Sequence, residues 1–224
     1  MSLINELKTN GNWLFRYRSY LPILLLPLII YSLSIINNIP HSILLTSAIL
    51  TSILGQIIRI LTIAYVPLGT SGRNTTMQRA KYLNQYGIYS IVRHPLYLGN
   101  FFMYLGPFIY SANFYFIFIY ILLFIIYYER IMFAEEDFLL NKFDKEYNEW
   151  AKKTPAFIPN IFLYKKSPLK FSFKKIIERE YTGINGLIFL FLILIYLRNI
   201  FYGIVPAFSN IYINILIINS FIYL

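Results

Sequence analysis

The 224-residue chain is 58% hydrophobic and only 13% charged, and its net charge is +10. A soluble domain has about 25% charged residues, so a water-soluble fold is excluded. The basic residues flank apolar runs, which points to an anionic membrane surface and away from nucleic acid. Cysteine is absent and there are two histidines, His41 and His94, which excludes disulfides, a cysteine nucleophile and thiolate or multi-histidine metal sites.

In chain order, Lys8, Arg16 and Arg18 precede an apolar run that starts near Tyr20. That run ends at Asn37-Asn38-Ile39-Pro40 and not at a small-residue cleavage site, so it reads as a retained span and not as a signal peptide. A bilayer crossing needs about 20 mostly apolar residues. Spans are expected near 19–37, 42–66, 95–111, 113–133, 184–204 and 206–223. The short links at Asn37–Ser42, at Ser111-Ala112-Asn113 and near Pro206 force antiparallel hairpins. Between the fourth and fifth spans lies the one substantial polar region, 134–182. Leu139, Phe143, Tyr147 and Trp150 recur there at helical spacing, with Asn141, Lys142, Lys145, Asn148 and Glu149 between them. This predicts an amphipathic helix on the membrane surface, ended by Pro155 and Pro159. Lys165, Lys166, Lys170, Lys174 and Lys175 follow near the lipid headgroups. The expected fold is all-α: a polytopic transmembrane bundle of about five to six spans, with a cytoplasmic amphipathic segment after span four. It forms one integral membrane domain, 1–224, closed by a C-terminal hairpin over 184–224.

Eighteen of the 20 Lys and Arg fall before span one, between spans two and three, or between spans four and five. The remaining two, Arg59 and Arg198, sit within spans. Lys/Arg bias sets topology, so both long loops are expected in the cytoplasm.

Two clusters could carry chemistry. Arg93-His94-Pro95-Leu96-Tyr97-Leu98-Gly99-Asn100 opens span three. Pro95 suits a first helical turn, and Arg93, Tyr97 and Asn100 share a helix face. Glu129-Arg130 and Glu135-Glu136-Asp137 end span four on the same side, where carboxylates near hydrocarbon need partners. The hairpin therefore sets a cationic and aromatic group against carboxylates. Either cluster could also be a plain charged helix end. The loop Gly69–Thr76, with Arg73, is either an anion cradle of backbone N–H groups and one guanidinium or an ordinary connection. Arg59 is either an acceptor-orienting cation inside the bundle or, as the preferred reading, a snorkelling arginine, and His41 lies in an outer turn.

The ordered set Arg93-His94-Pro95-x-Tyr97-x-Gly99 and Glu135-Glu136 resembles the isoprenylcysteine carboxyl methyltransferase and phospholipid methyltransferase family. The likeness continues through Leu139, Phe143, Tyr147, Pro155 and Ile158-Pro159, covering about 87–160. Asp144 departs from the family, which often has glycine there, and Trp150 stands where tyrosine is common. The resemblance implies a helical S-adenosylmethionine pocket. Tyr89, His94, Tyr97, Gly99, Glu135 and Glu136 would border the cofactor, and Arg73, Arg93 and Glu136 would serve the reaction. The chemistry is compatible: carboxylates accept from an ammonium or ribose hydroxyls, Arg93 or His94 suits a carboxylate, and aromatic faces suit a sulfonium. No Gly-x-Gly-x-x-Gly element is present, so a soluble Rossmann-type methyltransferase is excluded.

The expectation is methyl transfer from S-adenosyl-L-methionine to a membrane lipid or lipidated acceptor, with the site facing the cytoplasm of a bacterial inner membrane. Neither a metal nor nucleic acid takes part, and oligomeric state is left open. The acceptor is a prenylcysteine carboxylate, an amine or a phosphate; the Arg73 loop inclines towards an anionic headgroup such as lipid A. Two other readings compete. An NADPH-dependent sterol or enone reductase resembles the same core, but its motif usually has an acid where Asn100 stands. A non-enzymatic scaffold or transporter would place polar residues near mid-membrane.

Overall fold

In the computed structural model, residues 2–67 and 78–204 are described. The expected last span, 206–223, and the Gly69–Thr76 loop with Arg73 lie outside the described residues. The regular elements among the described residues are helices: α1 (Leu3–Tyr17), α2 (Leu21–Ser34), α3 (His41–Ala64), α4 (Pro95–Tyr110), α5 (Phe114–Ala151) and α6 (Phe173–Phe201).

The sequence before the first span is itself a helix. Ser2 caps α1, its hydroxyl accepting from the Asn5 amide at 3.4 Å. Its face bearing Gly11 and Phe15 is buried and packs along α5. A side chain at Gly11 would strike the Arg130 carbonyl, so only glycine allows so close a crossing. The Lys8–Asp137 ion pair at 2.5 Å closes the edge. At Arg18–Tyr20 the chain bends by 61° into α2.

α3, α5 and α6 are long and apolar enough to cross a membrane, and the bent α1–α2 pair could supply a fourth crossing. Among the described residues these are three or four crossings of the expected bundle. α4 has 16 residues, about 24 Å of helix, short of a hydrocarbon core of about 30 Å. It is held instead by an intimate contact with α3. Ala48, Ser52 and Gly55 on α3 meet Gly99, Met103 and Gly106 on α4, and Ser52 Oγ donates to the Met103 carbonyl at 2.9 Å. Small residues let the backbones approach where no hydrophobic drive separates protein from lipid. The α4–α5 hairpin forms as expected: Ala112 turns at φ 55, and Asn113 caps α5 by accepting from the Tyr115 amide. Inside the hairpin Phe101, Phe108, Tyr120, Phe124 and Tyr128 form a continuous aromatic core.

α5 is not straight. Asp144 adopts φ 41, ψ −110 within it. One guanidinium, Arg93, reaches both Glu136 (Nε, 3.1 Å) and the Ala151 carbonyl (Nη1, 3.2 Å). Fifteen residues of straight helix would separate those partners by about 22 Å. The chain therefore doubles back at Asp144, and Lys145–Ala151 forms a separate arm. The Leu139, Phe143, Tyr147 and Trp150 periodicity runs across this bend, so it is not one stripe of a single surface helix. Tyr147 and Trp150 are buried, with the indole of Trp150 donating to the Tyr89 carbonyl at 3.2 Å.

At the bundle end away from the start of α4, Arg198 is buried, its guanidinium lying over Tyr202, and His41 bonds to Tyr110 at 2.7 Å.

Candidate functional site

The site is built on the loop that leads into α4. Pro95 begins the helix, where its missing N–H costs nothing, so His94 is fixed at the point where loop becomes helix. The loop is pinned by the segment that follows α5. Arg93 N donates to Pro155 O at 2.9 Å, and His94 N to Ala156 O at 3.2 Å. Asn160 N donates to Ile91 O at 2.9 Å, and Gly87 N to Lys165 O at 2.8 Å. Gly87 turns at φ 63, in the left-handed region that favours glycine.

His94 sits between two carboxylates. Its Nε2 lies 2.8 Å from Glu136 and its Nδ1 3.6 Å from Glu135. Arg93 backs Glu136, and Arg18, in the bend after α1, approaches Glu135 at 3.8 Å and the Tyr97 hydroxyl at 3.5 Å. The His94 ring stacks on Tyr97 at 5.8 Å, and Tyr97 leans on Tyr128. Burial opposes the imidazolium. The hydrogen bonds and charges of Glu135 and Glu136 outweigh that and raise its pKa above the ordinary histidine value.

A second polar group lies deeper. Arg59 grips Glu180 with two bonds, Nη2 at 2.6 Å and Nε at 2.8 Å. Its other terminal nitrogen donates to Asn100 at 2.6 Å, Asn100 donates to the Tyr128 hydroxyl, and Gln56 donates to Glu180 at 2.8 Å. Glu180 has no exposed surface.

Between these groups is a cavity of about 780 Å³. Phe15 lines it from α1 and Arg18 from the bend that follows, Arg59 from α3, Tyr97, Asn100 and Tyr104 from α4, Tyr128, Glu135 and Trp150 from α5, and Glu180 and Gly183 from α6. Tyr89, Arg93 and His94 complete the wall from the loop.

Of the residues expected at the site, Tyr89, Arg93, His94, Tyr97 and Glu135 face this cavity. Glu136 is not among the lining residues: it stands behind the wall and holds Arg93 and His94. Gly99 also lies elsewhere, buried at the α3–α4 crossing, where a side chain would collide with Arg59. Arg73 falls outside the described residues. Arg59 does not snorkel; it is committed to Glu180. Sequence reasoning set Asn100 on the face of Arg93 and Tyr97 without a role, and missed Arg18 and Glu180. The signal for the last was an acid, the second of Glu178-Arg179-Glu180, set directly before an apolar run, which facing an intramembrane arginine is a functional candidate. Among the described residues no group of three or more His, Asp or Glu is arranged to hold a metal ion.

Residues 43–146 match the family model described as phospholipid methyltransferase. No curated protein matches, and no solved structure matches. The matched stretch contains Arg59, Arg93, His94, Tyr97, Glu135 and Glu136; it ends before α6, which brings Glu180 to the cavity. Over residues 43–146 this chain is thus similar to the phospholipid methyltransferase family of membrane methyltransferases, in agreement with the resemblance carried by Arg93–Gly99 and Glu135–Glu136.

Proposed function

We propose that this chain transfers a methyl group from S-adenosylmethionine to a membrane-borne acceptor, in a cavity that opens at the cytoplasmic face. One observation carries the reading: one cavity, walled in large part by the segment similar to membrane methyltransferases and completed by α1 and α6, combines guanidinium and imidazole donors, a carboxylate and aromatic walls.

The residues fit the cofactor by volume and by donor set. The cavity of about 780 Å³ lies within the range of small-molecule sites, about 300–1,000 Å³. Arg18, Arg93 and His94 suit a carboxylate. Glu135 suits an ammonium or ribose hydroxyls. Tyr89, Tyr97, Tyr128 and Trp150 offer faces for adenine and for a cation. When bound, the cofactor supplies an electrophilic methyl group on a sulfonium.

The protein's share is alignment and exclusion of water. Glu136 and Glu135 hold His94 in one orientation, and Glu136 also steadies Arg93. An ionised carboxylate or phosphate acceptor needs no base. An amine acceptor must lose a proton, and Glu135, which faces the cavity, is positioned to take it. The acceptor is a lipid headgroup or a lipidated carboxylate. The family match favours this reading over an NADPH-dependent reductase or a scaffold.

The test is methyl-labelled S-adenosylmethionine supplied to membranes holding the chain, followed by separation of lipid and protein. Label in one fraction, diminished by Glu135→Gln, is expected. Label in neither, with folded protein present, overturns the proposal.

A further inference from the structure

The segment between α5 and α6 has a surface that the proposed chemistry does not use. Residues 150–177 hold seven lysines and no acid. Interleaved with them are large apolar side chains in the open: Ile158 is 80% exposed, Ile161 67%, Phe162 93% and Phe173 73%.

The depth of this segment is fixed by its neighbours. Phe157 packs its ring on Phe101 at 5.9 Å and on Phe124 at 6.4 Å. Phe101 lies six residues below the start of α4, about 9 Å into the apolar hairpin. Ile158 therefore projects from the protein at the boundary between hydrocarbon and headgroups. At its other end the segment is tied to the end of α3: Ser172 N donates to Ala64 O at 3.2 Å, and Lys175 Nζ to Val66 O at 2.8 Å. Apolar side chains at that depth, with lysines beside them, match the chemistry of an anionic lipid surface.

The same segment makes the backbone clasp on the site loop. Pro155, Ala156, Asn160 and Lys165 exchange hydrogen bonds with Arg93, His94, Ile91 and Gly87, and Lys165 N also donates to Ser90 Oγ at 2.8 Å. We infer that residues 155–175 are an anionic-lipid docking surface whose engagement orders the Gly87–His94 loop, so that the charge of the adjacent leaflet sets how well the site is formed. The partner is the lipid surface of the bilayer in which the bundle sits. This goes beyond the methyl-transfer reading and does not depend on it.

The test uses the full chain in nanodiscs of pure phosphatidylcholine, and in nanodiscs of equal parts phosphatidylcholine and phosphatidylglycerol. The chain has no cysteine, so Phe162→Cys accepts a single nitroxide. In the anionic discs the nitroxide should become accessible to oxygen and shielded from a water-soluble relaxation agent. Amide exchange at Gly87, Arg93, His94 and Asn160 should slow by about tenfold relative to neutral discs, and Lys165→Gln/Lys166→Gln/Lys170→Gln should erase that difference. About tenfold corresponds to about 1.4 kcal/mol. A nitroxide open to water in both compositions, or equal exchange in both, overturns the inference. So does protection that appears in neutral discs only on adding RNA or an acidic polypeptide. Neither readout involves the cofactor, so failure of methyl transfer and failure of lipid docking are separately visible.

Discussion

Removing the Glu180 carboxylate strands a charge. Glu180 is wholly buried and takes bonds of 2.6 and 2.8 Å from Arg59 and 2.8 Å from Gln56. In Glu180→Ala the Arg59 guanidinium stays between α3 and α4 with no counter-charge. Breaking one half of a buried pair costs about 3–5 kcal/mol. For a chain of this size each kcal/mol moves the melting temperature by about 2–4 °C, so a fall of roughly 6–20 °C is expected. Replacing both partners by apolar residues, Arg59→Met with Glu180→Leu, removes the desolvation penalty of both charges and should recover most of that loss. The double variant should nevertheless bind and transfer poorly, since both side chains line the cavity. Thermal melts of the purified protein in detergent, run as a double-mutant cycle, provide the comparison. A loss below about 1 kcal/mol for Glu180→Ala, the size of an exposed surface pair, would refute the argument that the pair is shielded from water.

Asp144 holds a backbone conformation (φ 41) that favours glycine. Asp144→Gly should melt higher than Asp144→Ala by about 1–2 kcal/mol, because only the glycine variant escapes the left-handed penalty; equal melts would place the bend elsewhere. Gly55→Ala puts a methyl group into the Gly99 carbonyl and the Met103 amide, whereas Gly186 has open space around it. The first should lose about 1–3 kcal/mol and Gly186→Ala almost nothing, as read by the same melts. His94 has a raised pKa among Glu135, Glu136 and Arg93, with Arg18 beyond Glu135. Its contribution to stability is therefore complete below the unfolded value of about 6.5 and is lost as pH rises through the higher folded value. Melts across that window should fall in the wild type and flatten in His94→Gln.

Much of the candidate site was legible because its residues carry their chemistry in their names. Arg93, His94 and Glu135 form a charge pattern at the ends of two hairpin helices, and topology alone brings them to one side. Glu180 escaped because the fifth span was drawn from 184, which left it in the loop. α6 instead begins at Phe173, since an acid can enter the bundle when an arginine waits there. Asp144 hid the bend: a helical period of apolar residues continues across it, and the one sign of a positive φ, an aspartate where the family often has glycine, stood only as a departure from the pattern. The clasp on the site loop is made of backbone N–H and carbonyl groups, which every residue has, so no side-chain pattern could announce it. Glu136 was placed in contact with the cofactor by resemblance; geometry gives its carboxylate to His94 and Arg93.

Cofactor binding can be read without turnover by titrating purified chain with S-adenosylhomocysteine by calorimetry. Saturable binding is expected, displaced by S-adenosylmethionine, weakened at least tenfold by Glu135→Gln and by His94→Ala, and unaffected by NADPH. Folded protein that binds NADPH and ignores S-adenosylhomocysteine would contradict the proposed methyl transfer.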